Sequence, residues 1–347
     1  MRVFPILLVA GLSIASATAH AQQLKTPQES PRARVMQTLG ITEITVDYHR
    51  PAVNGRKVWG ELVPYNDAWR AGANENTTVT FTTDVKVAGK PLKAGTYGLH
   101  MLPTPKQWTV MFSNTTTAWG SFSYDQKEDA LRVQVTPTAV TTHEERLLFK
   151  FDDPGMTKTT LTLAWEKLEV PIAIEVDTPK EVMANMRREL RGGIGFTWQG
   201  HNQAANYWLK NGGNLDEALK HSDRSVGIAA TYGNLMVRAQ ILDKKGNAAG
   251  AKEARAKAQG FANENDLNLA GYALLQAKKV DEAVAAFQAI VQKYPESWNA
   301  RDSLAEALAI KGDKAAAIAS YEKALSMVKD EPNKKRIKSA ILKLKAK

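Results

Sequence analysis

The chain has 347 residues, 46 Lys and Arg against 36 Asp and Glu for a net charge of +10, and no cysteine. That length can bury two hydrophobic cores. The missing thiol excludes disulfides and a cysteine nucleophile, so burial must hold the fold.

The amino terminus predicts a targeting segment. Arg2 precedes a mostly apolar run from Phe4 to Ile14, and Ala19-His20-Ala21 forms a small-x-small cleavage site. A signal peptide over residues 1–21 and a mature start at Gln22 are expected. The apolar run is too short to span a bilayer, and no later stretch is long enough. Without a cysteine to acylate, the protein is expected to be soluble, periplasmic or secreted, and not lipid-anchored.

From there to about residue 177 the pattern is that of strands. Ile41–Tyr48, Thr78–Asp84, Tyr97–Met101, Trp108–Phe112 and Leu131–Val135 are β-rich runs with near alternation, as are Leu147–Phe151, Thr160–Trp165 and Val170–Val176. Turn signals such as Ala88-Gly-Lys-Pro91 and Lys93-Ala-Gly95 separate them, while His143-Glu144-Glu145 reads as a turn. Short alternating runs without helical period predict an antiparallel β-sandwich over residues 22–177.

Between the first two runs lies Tyr48–Asn76, with three Gly, two Pro, three Arg and two Trp. Long irregular segments of this chemistry are functional or tightly tied down. One reading is an ion-pair clamp, with Arg50, Arg56 and Arg70 held by Asp47, Glu61, Asp67 and Glu75. The other is a binding cleft. Arg56 and Arg70 would hold a carboxylate or phosphate with Arg50 beside them as a ligand-binding candidate, Asn74, Asn76 and Thr77 would give neutral hydrogen bonds, and Trp59, Trp69, Trp108 and Trp119 would offer stacking faces. Tryptophans near strands are more often core.

The period then changes. Thr178-Pro-Lys-Glu181 reads as a capping box, and residues 178–347 are rich in Ala, Leu, Lys and Glu at helical spacing. Ala218, Ala251, Ala283 and Ala317 recur at intervals of 33, 32 and 34 residues. Phe287 and Tyr321 follow the last two by one turn, Ser222 and Arg255 stand there in the first two, and Tyr294-Pro295 closes one repeat. A period near 34 with a small residue at the crossing and an aromatic beside it predicts stacked helix pairs. It resembles the tetratricopeptide repeat (TPR), so an α-helical hairpin solenoid is expected. The chain is thus multidomain, all-β followed by all-α.

The basic character belongs to the second half. Residues 22–175 carry 17 charges of each sign, whereas residues 176–347 carry 28 cationic and 19 anionic side chains. Lys334, Lys335, Arg336, Lys338, Lys343, Lys345 and Lys347 crowd the end without an acid. For an exported chain this favours an anionic surface over nucleic acid, with a solvated last helix as the simpler account.

Catalytic templates are missing. Trp119-Gly-Ser-Phe-Ser is not a nucleophile elbow, Gly89-Lys90 lacks the upstream glycine of a P-loop, and no His-Glu-x-x-His pair exists. No cofactor, metal or catalytic residue is assigned.

Ser30-Pro-Arg-Ala33, Tyr48-x-Arg-Pro51, Gly55-Arg56, Trp59-Gly60, Leu62-Val-Pro-Tyr65 and Trp69-Arg70-x-Gly-Ala-Asn74 form a distinctive string. Gly95-x-Tyr97, Trp108, Trp119-Gly120 and Tyr124 extend it. Over residues 25–176 the chain resembles the bacterial domain-of-unknown-function (DUF) 2911 family. The resemblance implies an exported β-rich domain, found elsewhere fused to TPR-like helices, and brings no assigned reaction. The expectation is an envelope binding or scaffolding protein. Its β domain would take a glycan, peptide or partner, and its repeats would bind a protein. The alternative is an envelope hydrolase acting on glycans or peptides, with carboxylates such as Glu61 and Asp67 around the Tyr48–Thr77 loop.

Overall fold

The computed structural model describes residues 26–346, so the signal peptide expected over residues 1–21 lies outside the described residues. The chain forms two compact units, one ending at Thr178 and one beginning at Pro179.

The first unit holds ten strands in chain order: β1 (Arg32–Leu39), β2 (Thr42–His49), β3 (Thr78–Phe81), β4 (Val85–Val87), β5 (Lys90–Leu92), β6 (Gly95–Leu102), β7 (Trp108–Ser113), β8 (Asp129–Val135), β9 (Thr138–Asp152) and β10 (Lys158–Glu175). They form a six-stranded sheet, β1-β2-β3-β6-β7-β8, and a four-stranded sheet, β5-β4-β10-β9. Every pairing is antiparallel. Alternate residues of both sheets, among them Ile44, Val46, Val79, Leu99, Val110, Leu161 and Ile172, meet in one core. The expected sandwich is present.

One expected turn is present, and two details differ from the sequence reading. Ala88-Gly89 is the tip of the β4–β5 hairpin, and both residues have positive φ (46° and 78°), as a type I′ turn requires. His143 lies inside β9 rather than in a turn. The two runs Thr160–Trp165 and Val170–Val176 belong to one long strand, β10. Leu161, Leu163 and Trp165 face inward on odd positions, and Val170, Ile172 and Ile174 on even ones. The parity changes through register shifts around Glu166, whose φ is +57°. An irregularity in pairing is what lets both halves face the core.

The segment between β2 and β3 is fastened at its start and in its middle. Val53 N–H donates to the Glu145 carbonyl and Leu147 N–H to that of Pro51, so residues 51–53 run against the edge of β9. Farther on, Trp59 and Trp69 enter the core beside Trp108 of β7 and Trp165 of β10. Trp59 meets Trp108 edge-on at 4.9 Å, Trp165 at 5.7 Å and Trp69 at 5.8 Å, while Trp69 stacks on Trp165 at 6.0 Å. Offset and edge-to-face geometries suit the ring quadrupoles. The cluster ties the irregular segment to both sheets.

The second unit contains ten helices among the described residues: α1 (Thr178–Glu189), α2 (Trp198–Lys210), α3 (Leu215–Ile228), α4 (Tyr232–Lys244), α5 (Ala248–Gln259), α6 (Glu264–Gln276), α7 (Val280–Lys293), α8 (Trp298–Lys311), α9 (Lys314–Met327) and α10 (Glu331–Ala346). The first does not start with the expected box. Thr178 is already helical, and its hydroxyl donates to the Met156 carbonyl. Later helices are capped by Asn214, Thr231, Asn247, Asn263, Ser297 and Asp313. α2 packs on α3, α4 on α5, α6 on α7 and α8 on α9.

The four repeat alanines each occupy the fourth position of the second helix of a pair, and all are fully buried. Phe287 fills the adjoining gap. A Cβ on Gly271 of α6 would stand 2.6 Å from its ring, so this crossing is as tight as a hydrogen side chain permits. Among the described residues no helix is long and apolar enough to cross a membrane.

Truncating Trp165 removes the ring that Trp59 meets edge-on and Trp69 stacks upon. Trp165→Ala should lower the unfolding free energy of the β unit by about 3–5 kcal/mol. Urea denaturation followed by tryptophan fluorescence measures it, and a loss under about 1 kcal/mol would show that the cluster is not structural.

Candidate functional site

The inner face of the six-stranded sheet is core, so any site on it must lie outside. Pairing register identifies that outer face. Arg32 stands opposite His49, Arg34 opposite Asp47, Asp47 opposite Thr78, Thr45 opposite Thr80, and Thr80 opposite Thr96. Cross-strand partners project from the same side. The face is therefore a lawn of hydroxyls crossed by charge.

Part of this face is covered. The chain from Asn114 to Tyr124 crosses β6 and β7, burying His100, Met111 and Ser113. Gly98 makes the crossing possible, because a Cβ there would stand 2.3 Å from the Thr115 carbonyl oxygen and 2.4 Å from Asn76 Nδ2. Ser121 Oγ is 2.8 Å from His100 Nδ1, and the Tyr124 hydroxyl donates to Asp129 while receiving a hydrogen bond from Arg132. These contacts anchor the crossing segment.

The part left open, over β1, β2 and β3, is a groove of about 1060 Å³. Its lining includes Gln28, Arg34, Asp47, His49, Glu75 and Thr80. Arg32 grips Asp47 through Nε and Nη2, both at 2.6 Å, and Arg34 Nη2 reaches the same carboxylate at 2.6 Å. The Arg32 hydrogen bonds hold the Asp47 carboxyl below its usual range. His49 Nε2 lies 3.1 Å from Glu75 Oε2.

Of the residues singled out from sequence, some are spent inside the domain. Arg50 Nε donates to the Leu147 carbonyl at 2.8 Å, with Glu144 3.8 Å from its Nη2. Arg56 donates to the Ala52 and Val53 carbonyls at 2.6 and 3.0 Å. Trp69 belongs to the tryptophan cluster and donates Nε1–H to the Gly72 carbonyl. Asn74, at φ +54°, holds the Ser30 carbonyl, and the buried Thr77 hydroxyl donates to that of Ala71.

The expected ion-pair clamp does not form: Arg50 and Arg56 fasten the segment through backbone carbonyls instead, and Arg70 takes no carboxylate among the described residues. The anticipated carboxylates go elsewhere: Asp47 to Arg32 and Arg34, Glu61 to Lys57, Asp67 to the Ala68 N–H, and Glu75 to His49. Glu61 and Asp67, considered for acid–base work, are thus both engaged at the surface.

Asn76 lines the groove, and Trp119, bridged to Glu75 on its wall, meets Arg70 beside it. Asn76 Nδ2 donates to the Thr115 carbonyl, and its Oδ1 is buried without a partner. Glu75 and Trp119 form an isolated antiparallel bridge. The Trp119 indole is 66% exposed, and Phe122, stacked on it at 6.5 Å and 25°, is 88% exposed. The Arg70 guanidinium lies 5.7 Å from the Trp119 ring centre. Trp59 and Trp108, by contrast, are core.

Sequence reasoning missed Arg32, Arg34 and the threonine rows, and took Asp47 and Glu75 as clamp carboxylates rather than as groove lining. For Asp47 and the threonines the signal was the polar half of the alternation in β2 and β3, which marks an outer face as the apolar half marks the core; Arg32 and Arg34, on β1, and Glu75, ahead of β3, carried no such signal.

The helical unit has its own concavity of about 530 Å³ between α3, α4 and α5, lined by residues including Asp223, Arg238, Leu242, Glu253 and Lys257. Its final helix is structural. α10 buries Ile337 and Ile341, and Arg336, Lys334 and Lys345 pair with Asp302, Glu331 and Glu322.

A family model described as a protein of unknown function (DUF2911) matches residues 30–174, and a tetratricopeptide repeat model matches residues 268–332. No curated protein matches. Among solved structures, a MamA mutant is 21% identical, covering 42% of this chain and 80% of its own, with a TM-score of 0.28. YrrB, described as a TPR protein with an unusual peptide-binding site, is 16% identical, covering 46% and 84%, with a TM-score of 0.29. PilF of Pseudomonas aeruginosa is 20% identical, covering 44% and 69%, with a TM-score of 0.29.

Two outcomes test how the site is framed. Gly98→Ala should displace Asn76 and the Thr115 carbonyl and cost about 1–3 kcal/mol of β-unit stability by overpacking; unchanged stability by urea titration would contradict the crossing. Burial lowers the His100 pKa, so the unfolded chain takes the proton first. That stability is complete above about pH 6.5 and is lost as pH falls below it. Between pH 7.5 and 5.5 the urea midpoint should fall more in the wild type than in His100→Gln, and equal falls would refute it.

Proposed function

From a DUF2911 domain joined to tetratricopeptide repeats, we propose a two-part binding protein of the cell envelope. Its β domain holds a hydrophilic ligand, a glycan in the first place, across the outer face of the six-stranded sheet. The helical half docks a protein partner in the concavity between α3, α4 and α5. The targeting segment supports export, and stacked helix pairs offer extended concave surfaces suited to protein recognition.

The observation that carries the ligand reading is an open polar groove whose wall residue Glu75 is bridged to Trp119 of an exposed aromatic pair. Saccharides combine hydroxyls with flat C–H faces. Threonine hydroxyls, the Gln28 and Asn76 amides and the Glu75 carboxylate meet the first need, and Trp119 with Phe122 meets the second. A solvated tryptophan and phenylalanine side by side are costly to leave in water, and a ligand that covers them recovers that cost.

A glycan array with the mature chain, followed by calorimetry, tests this directly. Trp119→Ala should weaken the best glycan about tenfold, equivalent to ~1.4 kcal/mol. Wild-type affinity in that variant, or binding unaffected by Arg34→Ala, would overturn the assignment. For the helical half, Arg238→Glu in the full chain should abolish co-purification of the partner from envelope extract while helix content by circular dichroism stays unchanged. Retention of the partner would move the docking surface elsewhere.

A further inference from the structure

The β domain contains seven arginines among its described residues, and six are satisfied. Arg32 and Arg34 hold Asp47, Arg50 the Leu147 carbonyl, Arg56 the Ala52 and Val53 carbonyls, Arg132 Asp129, and Arg146 the Glu29 carbonyl. Arg70 is the exception. Its Nε is buried without a partner, and no carboxylate or carbonyl pairs with the rest of its guanidinium. Burial depresses its pKa, and Glu75 only partly offsets this from a distance. Glu75 itself points to His49.

An unpaired, half-buried guanidinium is expensive to maintain. The surroundings are nevertheless shaped around it. Gly120, at φ +78°, leaves room where a Cβ would stand 2.9 Å from Arg70 Nη1 and from the Phe122 ring. The Trp119 indole lies over the guanidinium, and its backbone is bridged to Glu75 on the groove wall. The cation is therefore held against the Trp119 ring, next to the groove wall that Glu75 forms, and its Nη groups take no hydrogen bond or ion pair among the described residues.

We propose that the groove's ligand is an acidic saccharide, with its ring carboxylate taken by Arg70 while the sugar lies on Trp119 and Phe122. This rests on the glycan reading and adds the ligand's charge and orientation. A planar carboxylate matches the guanidinium fork. Single charge also fits the setting, since Glu75 is 63% exposed nearby and would repel a dianion such as phosphate.

The test uses the full mature chain and a panel of uronide tetrasaccharides, each as the free acid and as its methyl ester, titrated by calorimetry. Esterification removes the charge and leaves the sugar. At least one free acid should bind tenfold or more tightly than its ester, and Arg70→Gln should erase that difference while still binding the ester. Arg70→Lys should recover only part of it, because an ammonium lacks the fork. If acid and ester bind alike, or if the preference survives in Arg70→Gln, the inference fails while the glycan reading stands. If neither form of any sugar binds, both fail. Displacement of the bound acid by equimolar inorganic phosphate would overturn the carboxylate assignment. Should Arg70→Gln not fold, Gly120→Ala, which crowds the same guanidinium, must lose the acid preference in its place.

Discussion

The β domain depends on one contact set, the cluster of Trp59, Trp69, Trp108 and Trp165. Two of these rings come from sheet strands and two from the irregular segment that joins β2 to β3. Without them that long segment would be a solvated loop, at a backbone entropy cost of roughly 1–2 kcal/mol per residue if it were ordered without compensation. With them it becomes a brace across the sandwich. The arginines confirm this role by their partners. Arg50 and Arg56 reach carbonyls of the segment itself and of β9, which strand ladders leave free to accept.

The brace also positions the candidate site. Once Trp69 is fixed in the core, its neighbour Arg70 is forced toward the opposite side. Ala71 and Asn74, with φ of +52° and +54°, then turn the chain so that Glu75 and Asn76 reach the outer face. There they meet the segment that crosses Gly98. The same stretch is thus mostly structural along its length and outward-facing at its end, where Arg70 and Trp119 meet.

Much of the architecture was legible in the residues. Period-two runs marked the strands, and alanines about 34 residues apart marked the helix pairs, because a buried crossing tolerates nothing larger. The parity change at Glu166 was not legible, since it depends on strand pairing rather than on local pattern. Nor was β1: Arg32 and Arg34 look like a charged approach to a strand until Asp47 is seen opposite them. For the site, the tryptophan count misled in a specific way. Trp59, Trp69, Trp108 and Trp119 have equal chemistry in the sequence, and only tertiary packing separates three core rings from one exposed ring. That the arginines would fasten the segment was anticipated, but carboxylates nearby in sequence proved poor guides to their partners, because guanidinium N–H groups also donate to backbone carbonyls.

The central claim is that Trp119 is the ligand-facing tryptophan of this domain. Oxidative footprinting of tryptophan side chains, read by mass spectrometry with and without the best-binding glycan, tests it in one experiment. The account predicts that Trp119 is the reactive indole of the β domain and that ligand suppresses its oxidation, while Trp59, Trp108 and Trp165 stay unreactive throughout. Protection absent at Trp119, or appearing on the helical half instead, would contradict it.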